Sequence, residues 1–377
     1  MAHRIVILGG GYAGVTAANR LARRLDGADV TLVNERATFV ERVRLHQVAA
    51  GESIALQPLG QRLRPDVTVV VARAGGIDLE RREVVLDGDA ASDAGRLPYD
   101  TLVYALGSHA APAPDDAVTL ATVDDAWRVR DRVGELAAEH GTVAVVGGGL
   151  TGIEAATELA ERYPAACVRM VSDVDPGAWL SHRAQRHLRR VFARLGIEVV
   201  RGSVTDVRGG AVRLTDGRAV GAGLTLACTG FAVPSLAAGA GLAVDDTGRI
   251  RVDGTLRSVS HPHVYAVGDA AVPELPNGRS FRMACATALP MSAVTGTAIA
   301  DRLAERKPAS LRFRYVNQCI SLGRRNGVIQ AVDGDDRPHR MILTGRAAAS
   351  YKEAVVRGAS WFSAHPGPYR PARTVSM

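Results

Sequence analysis

At 377 residues the chain is long enough for two or three domains, and 47% hydrophobic with 23% charged side chains is the balance of a folded protein with real cores. No apolar run reaches the roughly 18 residues of a membrane span, and the opening MAHRIVILGG passes straight into a strand and a glycine turn, which is not the pattern of a secretory leader; a cytoplasmic location is expected. The net charge of +7 is carried almost wholly by arginine, Lys307 and Lys352 being the only lysines; it suits anionic cofactors, an acidic partner or a membrane surface, while the lack of basic runs interleaved with aromatics argues against nucleic acid.

Arg4 to Leu8 reads as a short buried parallel strand, and GGGYAG follows at once. Gly9 permits the tight turn, Gly11 lets the backbone approach a pyrophosphate, and Gly14 lets the next helix pack close to the strand. That helix offers free N–H groups and a partial positive charge to a phosphate, with Tyr12 and Ala13 at its start. A second strand, Asp29 to Val33, ends at Asn34-Glu35-Arg36, where an acid can hydrogen-bond ribose hydroxyls. Strand, glycines, helix, strand and terminal acid in this order mark a nucleotide site far better than the glycines alone.

The design returns in VAVVGGGLTGIEAATELAE. Val143 to Val146 is the strand, Gly147, Gly149 and Gly152 form the turn with Leu150 and Thr151 between them, and Thr151 to Arg162 is the helix. The next strand, Cys167 to Val171, runs into Ser172-Asp173. Asp173 stands one place late for a ribose contact, and Arg169, His182 and Arg183 are cations suited to a 2′-phosphate, so NADH and NADPH both stay open. Two phrases, TLVYALGS with Gly107 and LTLACTGF with Gly230, read as strand, small residue, glycine: points where the chain leaves one nucleotide fold for another. HPHVYAVGDAA places a strand at Val264 to Val267, then Gly268 and Asp269, an acceptor suited to sugar-like hydroxyls.

MACATALPMSAVTG, Met283 to Gly296, is an Ala-rich helix with Pro290 near its start. A third unit follows, with strands at Phe313 to Val316, Gly327 to Val332 and Met341 to Leu343, a helix from Gly345 to Phe362, and the breaker-rich tail HPGPYRPARTVSM. Trp361 and Phe362, near Arg357 and Lys352, suit a membrane surface, packing on the chain's own domain, or a partner subunit such as a second copy. Cys167, Cys228, Cys285 and Cys319 are far apart, with neither dithiol nor metal-ligand spacing; four buried free thiols and no metal are expected.

Taken together, these motifs over about residues 4 to 300 resemble the two-dinucleotide-binding flavoproteins of the pyridine nucleotide–disulfide oxidoreductase superfamily. The resemblance implies an α/β fold of two Rossmann-like domains, one inserted in the other, plus a small α+β C-terminal domain. The boundaries expected are 1–112 with 240–305 for FAD, 113–239 for NAD(P)H and 306–377 for an interface domain. It implies FAD at the first cluster, with Gly9, Gly11, Gly14 and Glu35 on its ADP half and Asp269 at its middle, and NADH or NADPH at Gly147, Gly149 and Gly152. Further cofactor contacts are expected from Tyr12, Ala13, Asn34, Arg36, Arg42, Ala72, Gly107, Gly268, Ala286, Leu150, Thr151, Glu154, Asp173 and Gly230. The helix after Asp269 would aim its N-terminus at the flavin.

FVERVRLHQVAAG, Phe39 to Gly51, holds no cysteine where the disulfide reductases carry theirs, so electrons would leave the flavin directly. Arg42, Arg44 and His46 in that stretch, the V-S end of the Cys167 strand and the phrase CISLGRRNGVIQ resemble the type II NADH dehydrogenase and ferroptosis suppressor protein branch. The activity implied is hydride transfer from NAD(P)H to FAD, then two electrons to a quinone or similar small acceptor, with at most peripheral membrane contact. Reduction of a ferredoxin-like protein and a redox-gated binding role resembling that of apoptosis-inducing factor are the alternatives. Two residues are catalytic candidates. Glu154 reads either as an acid favoured by the helix dipole or as a contact to the nicotinamide ribose or amide. His46 reads either as a partly exposed histidine of an amphipathic helix or as a proton donor to reduced quinone, exchanging near neutral pH.

Overall fold

The computed structural model describes residues 2–87, 95–274 and 280–366 and the backbone of 375–376. Two five-stranded parallel sheets dominate it. In the first, Arg4–Leu8 lies between Thr101–Tyr104 and Asp29–Asn34, with Val264–Ala266 and Val67–Val71 at the edges. Its middle strands are continuous apolar runs because both faces are covered; Ile5, Ile7, Leu102, Val103 and Tyr104 are wholly buried. In the second, Thr142–Val146 lies between Leu224–Ala227 and Cys167–Ser172, with Ala117–Val118 and Glu198–Arg201 outside them.

The chain order makes one fold an insertion in the other. After Tyr104 the chain leaves the first sheet, builds the whole second sheet, and returns when Val264 pairs beside Leu102. Each sheet carries its glycine turn on the strand that starts its helix, Tyr12–Arg24 in the first and Leu150–Arg162 in the second. The C-terminal unit is an antiparallel sheet, Asn317–Ser321, Gly327–Val332 and Pro338–Thr344, followed by the long helix Gly345–Ala364. Fold class and nesting are as the motifs imply.

Four local expectations need correction. Residues 313–316 form no strand; Phe313 and Tyr315 turn into an edge-to-face cluster with Phe281, their own rings 4.9 Å apart, and pairing starts at Asn317. Pro290 lies within the helix Cys285–Leu303, not in its first turn. The helix bearing His46 is only Leu45–Ala49 and has no polar face, since all five side chains are buried. The four cysteines are free, as expected, but half-buried.

That short helix is buried because it bridges two cores. Leu45, Val48 and Ala49 come from the first fold, yet they join the core of the second, together with Ile320, Leu322 and Val328 of the C-terminal sheet. Three units therefore meet at one point. The long C-terminal helix closes the junction with Ala348, Lys352, Val356 and Ala359 on its buried side, leaving Tyr351, Val355, Trp361 and Phe362 exposed.

Candidate active site

The two glycine turns are built alike. A Cβ on Gly9 would lie 2.4 Å from the Ala105 carbonyl oxygen, and one on Gly14 only 1.8 Å from that of Gly9. In the second turn the same clashes arise at Gly147 against Cys228 (2.4 Å) and at Gly152 against Gly147 (2.0 Å). Gly11 and Gly149 differ: a Cβ on either would meet nothing within 4 Å among the described residues. Each is the N-cap of its helix and supplies no side-chain cap, so the first amides face open space at the positive end of a helix. That is a cradle for a pyrophosphate, present twice.

Other expected contacts gather around these cradles. Asn34 accepts from the Gly10 amide at 2.8 Å and donates to the Arg36 carbonyl, so it fixes the turn; the Ala72 amide donates to its carbonyl. Glu35 stands exposed at the strand end, while Arg36 is paired with Asp124 of the inserted fold. Gly107 and Gly230, both at positive φ, border open space at the two crossing points. Gly268, also at positive φ, leaves the Ala13 methyl 3.2 Å from where its own Cβ would stand. Ser108 donates to Asp269 at 2.7 Å, and Arg42 donates to the Ser108 carbonyl with its guanidinium 5.3 Å from the Phe231 ring centroid. Burial lowers the Arg42 pKa, with Asp269 opposing it. Ala286 is exposed in the first turn of Cys285–Leu303, a helix whose N-terminus also has no side-chain cap. In the second cradle Leu150 and Thr151 are half-buried at the helix start and Asp173 is exposed, its carbonyl accepting from Arg201.

At the junction of the three units lies a buried polar cluster. Glu154, Lys352, Ser321 and His46 are each less than a tenth exposed. Glu154 is ion-paired with Lys352, accepts from the Ser321 amide at 3.0 Å, and has a carboxylate oxygen 3.8 Å from His46 Nδ1. Lys352 also donates to the Ser321 hydroxyl at 3.3 Å, and that hydroxyl lies 3.3 Å from His46 Nε2. Burial opposes ionisation of Glu154, but the charges of Lys352 and His46 and the donated hydrogen bonds outweigh it and hold its pKa below the ordinary value. Its carboxylate is committed to Lys352 and Ser321.

His46 departs from expectation. It is 5% exposed, not partly exposed. Burial draws its pKa down to about 4; Glu154 opposes that shift, and Lys352, Arg324 and Arg44 reinforce it. The imidazole is neutral at physiological pH and does not exchange its proton there as an ordinary histidine would. Sequence reasoning missed Lys352 and Ser321 as site residues. The available signal was a lone lysine, in an arginine-rich chain, on the same helical face as Ala348, Val356 and Ala359.

The profile of the pyridine nucleotide-disulphide oxidoreductases matches residues 3–298. The chain belongs to this family. Among curated relatives, an NADH dehydrogenase-like protein of Mycobacterium tuberculosis is 30% identical, covering 93% of this chain and 92% of the relative. Type II NADH:quinone oxidoreductase NdhA of the same organism is 29% identical over 87% of this chain and 78% of its own length. Ferroptosis suppressor protein 1 of Xenopus tropicalis is 26% identical over 87% and 88%. Among solved structures, NDH2 of Plasmodium falciparum in complex with NADH superposes with a TM-score of 0.80 over 99% of both chains at 16% identity, a likeness of fold. This pyridine nucleotide-disulphide oxidoreductase is thus an NAD(P)H-dependent flavoprotein of the type II dehydrogenase and suppressor-protein branch, with FAD as cofactor and NADH or NADPH as co-substrate. Its four cysteines are all free, with no disulfide among them.

The residues present fit both nucleotides. Each helix N-terminus is uncapped and opens beside a glycine whose Cβ position is unobstructed, as a pyrophosphate needs, and the buried Tyr12 hydroxyl beside the first turn has no hydrogen-bond partner among the described residues.

Proposed function

We propose that the enzyme delivers two electrons from NADH, by way of FAD, to a quinone or a similar small acceptor. The observation that carries this reading is the Glu154–Lys352–Ser321–His46 cluster, a buried, charge-balanced and hydrogen-bonded site where the two nucleotide folds and the C-terminal sheet meet. FAD, when bound, accepts hydride from the nicotinamide and can release the electrons to a second substrate. The chain's own residues supply the rest. Gly9, Gly11 and Gly14 with Asp269 and Arg42 would hold FAD, and Gly147, Gly149 and Gly152 would hold NADH. The boundaries 1–112 with 240–305, 113–239 and 306–377 are proposed on the same ground.

Lys352 keeps Glu154 ionised, so the cluster presents a carboxylate and an ammonium to a substrate that must gain protons as well as electrons. The exposed Tyr351, Val355, Trp361 and Phe362, flanked by Arg346 and Arg357, support peripheral contact of the C-terminal helix with a membrane surface, where apolar quinones dissolve. No described helix is long and apolar enough to cross a membrane.

Anaerobic stopped-flow tests the reading. NADH should bleach the flavin, and a soluble quinone should restore its colour within a turnover, faster than ferredoxin or oxygen does. Quinone turnover should also be nearly independent of ionic strength, since a neutral acceptor feels no screening. Failure of NADH and NADPH to bleach the flavin, or a strongly salt-dependent preference for an acidic protein acceptor, refutes the proposal.

A further inference from the structure

We propose that Glu158 carries the solvent proton to the buried Glu154–Lys352 cluster during acceptor reduction, an inference that rests on quinone being the acceptor. The stoichiometry calls for one proton from solvent. Breaking the nicotinamide C–H bond releases two electrons and one proton, whereas converting a quinone to its quinol forms two O–H bonds. The balance is NADH + H⁺ + quinone → NAD⁺ + quinol, and the second proton comes from water.

Glu158 is 1% exposed and lies one helical turn beyond Glu154 on the same face of Leu150–Arg162. Its Oε1 is buried without a hydrogen-bond partner among the described residues. An unpartnered carboxylate at such a place is costly, so the neutral acid is the cheaper form. Burial accordingly lifts its pKa to about 7. Glu161 and Glu154 on its own helix push the same way, while Arg324 of the C-terminal hairpin loop and Lys352 of the long helix oppose. On the two helices packed nearby, His46 is engaged with Ser321 and Glu154 and His187 with Asn326 at 3.0 Å, while His182 stands exposed at its helix start.

Two acids on one helix face are thus held in opposite states. Glu154 keeps its charge because it has Lys352 and the Ser321 amide; Glu158, lacking both, holds its proton up to about neutral pH. Environments that split a carboxyl pair in this way assign one member as acid and the other as base. On the outer side, Arg324 is exposed, lies 3.8 Å from Glu52 and is close enough to Glu158 for its charge to act on it. The relay then runs in one direction: Glu158 gives its O–H proton inward and is reprotonated from water at the Arg324 rim.

Glu158→Gln and Glu158→Asp separate this from a structural role. Ferricyanide takes electrons and no proton, so it reads the electron path alone. With a soluble quinone, E158Q should lose on the order of tenfold or more in kcat and the inflection of its pH profile near neutrality, while ferricyanide turnover and the rate of flavin bleaching by NADH stay within about twofold. E158D should recover part of the quinone rate. Infrared difference spectra of the resting protein give a readout apart from turnover: a carboxyl C=O band titrating near pH 7, lost in E158Q and displaced in E158D. An E158Q enzyme with the wild-type quinone rate and pH profile, equal losses with both acceptors, or no carboxyl band titrating near neutrality overturns the relay. A wild-type enzyme that reduces ferricyanide but no quinone refutes the acceptor reading itself, whereas an unaffected E158Q beside an active wild type refutes the relay alone.

Discussion

His46 and Glu158 illustrate how burial acts on single residues of opposite charge type. Burial favours the neutral form of both, so it lowers the histidine pKa to about 4 and raises the glutamate pKa to about 7. The consequences for stability oppose each other. Unfolded His46 takes up a proton near pH 6.5 but native His46 only near 4, so its contribution is complete above 6.5 and is lost as pH falls. Native Glu158 takes up a proton near 7 but the unfolded chain only near 4.5, so its contribution is complete below 4.5 and is lost as pH rises. Across pH 4.5–6.5 the two nearly cancel. Urea denaturation should therefore show E158Q losing stability on acidification through this range more steeply than wild type, by about 2–3 kcal/mol in total, and His46→Gln gaining it. A parallel pH dependence of all three proteins contradicts the assignment. Glu154 and His46 were legible in the sequence because each sits at a recognisable place in a motif. Their charge states were not, since those depend on Ser321 and Lys352, which arrive from far along the chain.

The glycine turns make a sharper test at the scale of one element. Of the four glycines in each turn, two are required by the chain's own backbone, one faces mainly side chains, and one borders only open space among the described residues. Gly14→Ala and Gly152→Ala push a methyl into a carbonyl oxygen that belongs to the same turn and should cost several kcal/mol or abolish folding. Gly11→Ala and Gly149→Ala, at φ −80° and −75°, meet no protein atom and should fold normally. G11A should lose FAD on dialysis, while G149A should keep the yellow cofactor and raise the KM for NADH. A G149A protein with unchanged KM would show that the second cradle is not the nicotinamide site. Elements of this kind were readable to within a residue or two, because a strand buried on both faces and a helix opened by glycines each leave a local pattern. Segments governed by distant partners were not: Phe313 and Tyr315 have the composition of a strand, but their rings find Phe281 first.

At the scale of the whole molecule, insertion of one fold in the other ties both cradles to a single junction. The return of the chain at Val264 and the burial of Leu45–Ala49 in the second core leave little freedom for the two folds to part without exposing apolar surface. The nesting was legible from motif order alone. The closure of the junction by the C-terminal helix was not, because a helix shows an apolar face without showing what it covers. Arg44 and Glu353, paired at 2.9 Å, join that helix to the short one, and burial of the Lys352 ammonium at the centre of the contact makes its accessibility a measure of closure.

Lysine is scarce enough here to be useful. Lys307 lies exposed on the surface and Lys352 is sealed under the closing helix. An amine-selective acylating reagent therefore finds few lysines: the native protein should be marked quickly at Lys307, and at Lys352 only as often as the helix lifts. Mass spectrometry of timed samples would turn that second mark into a clock for the opening of the site, and its slowing when NADH or a quinone is added would show which substrate the lid waits for.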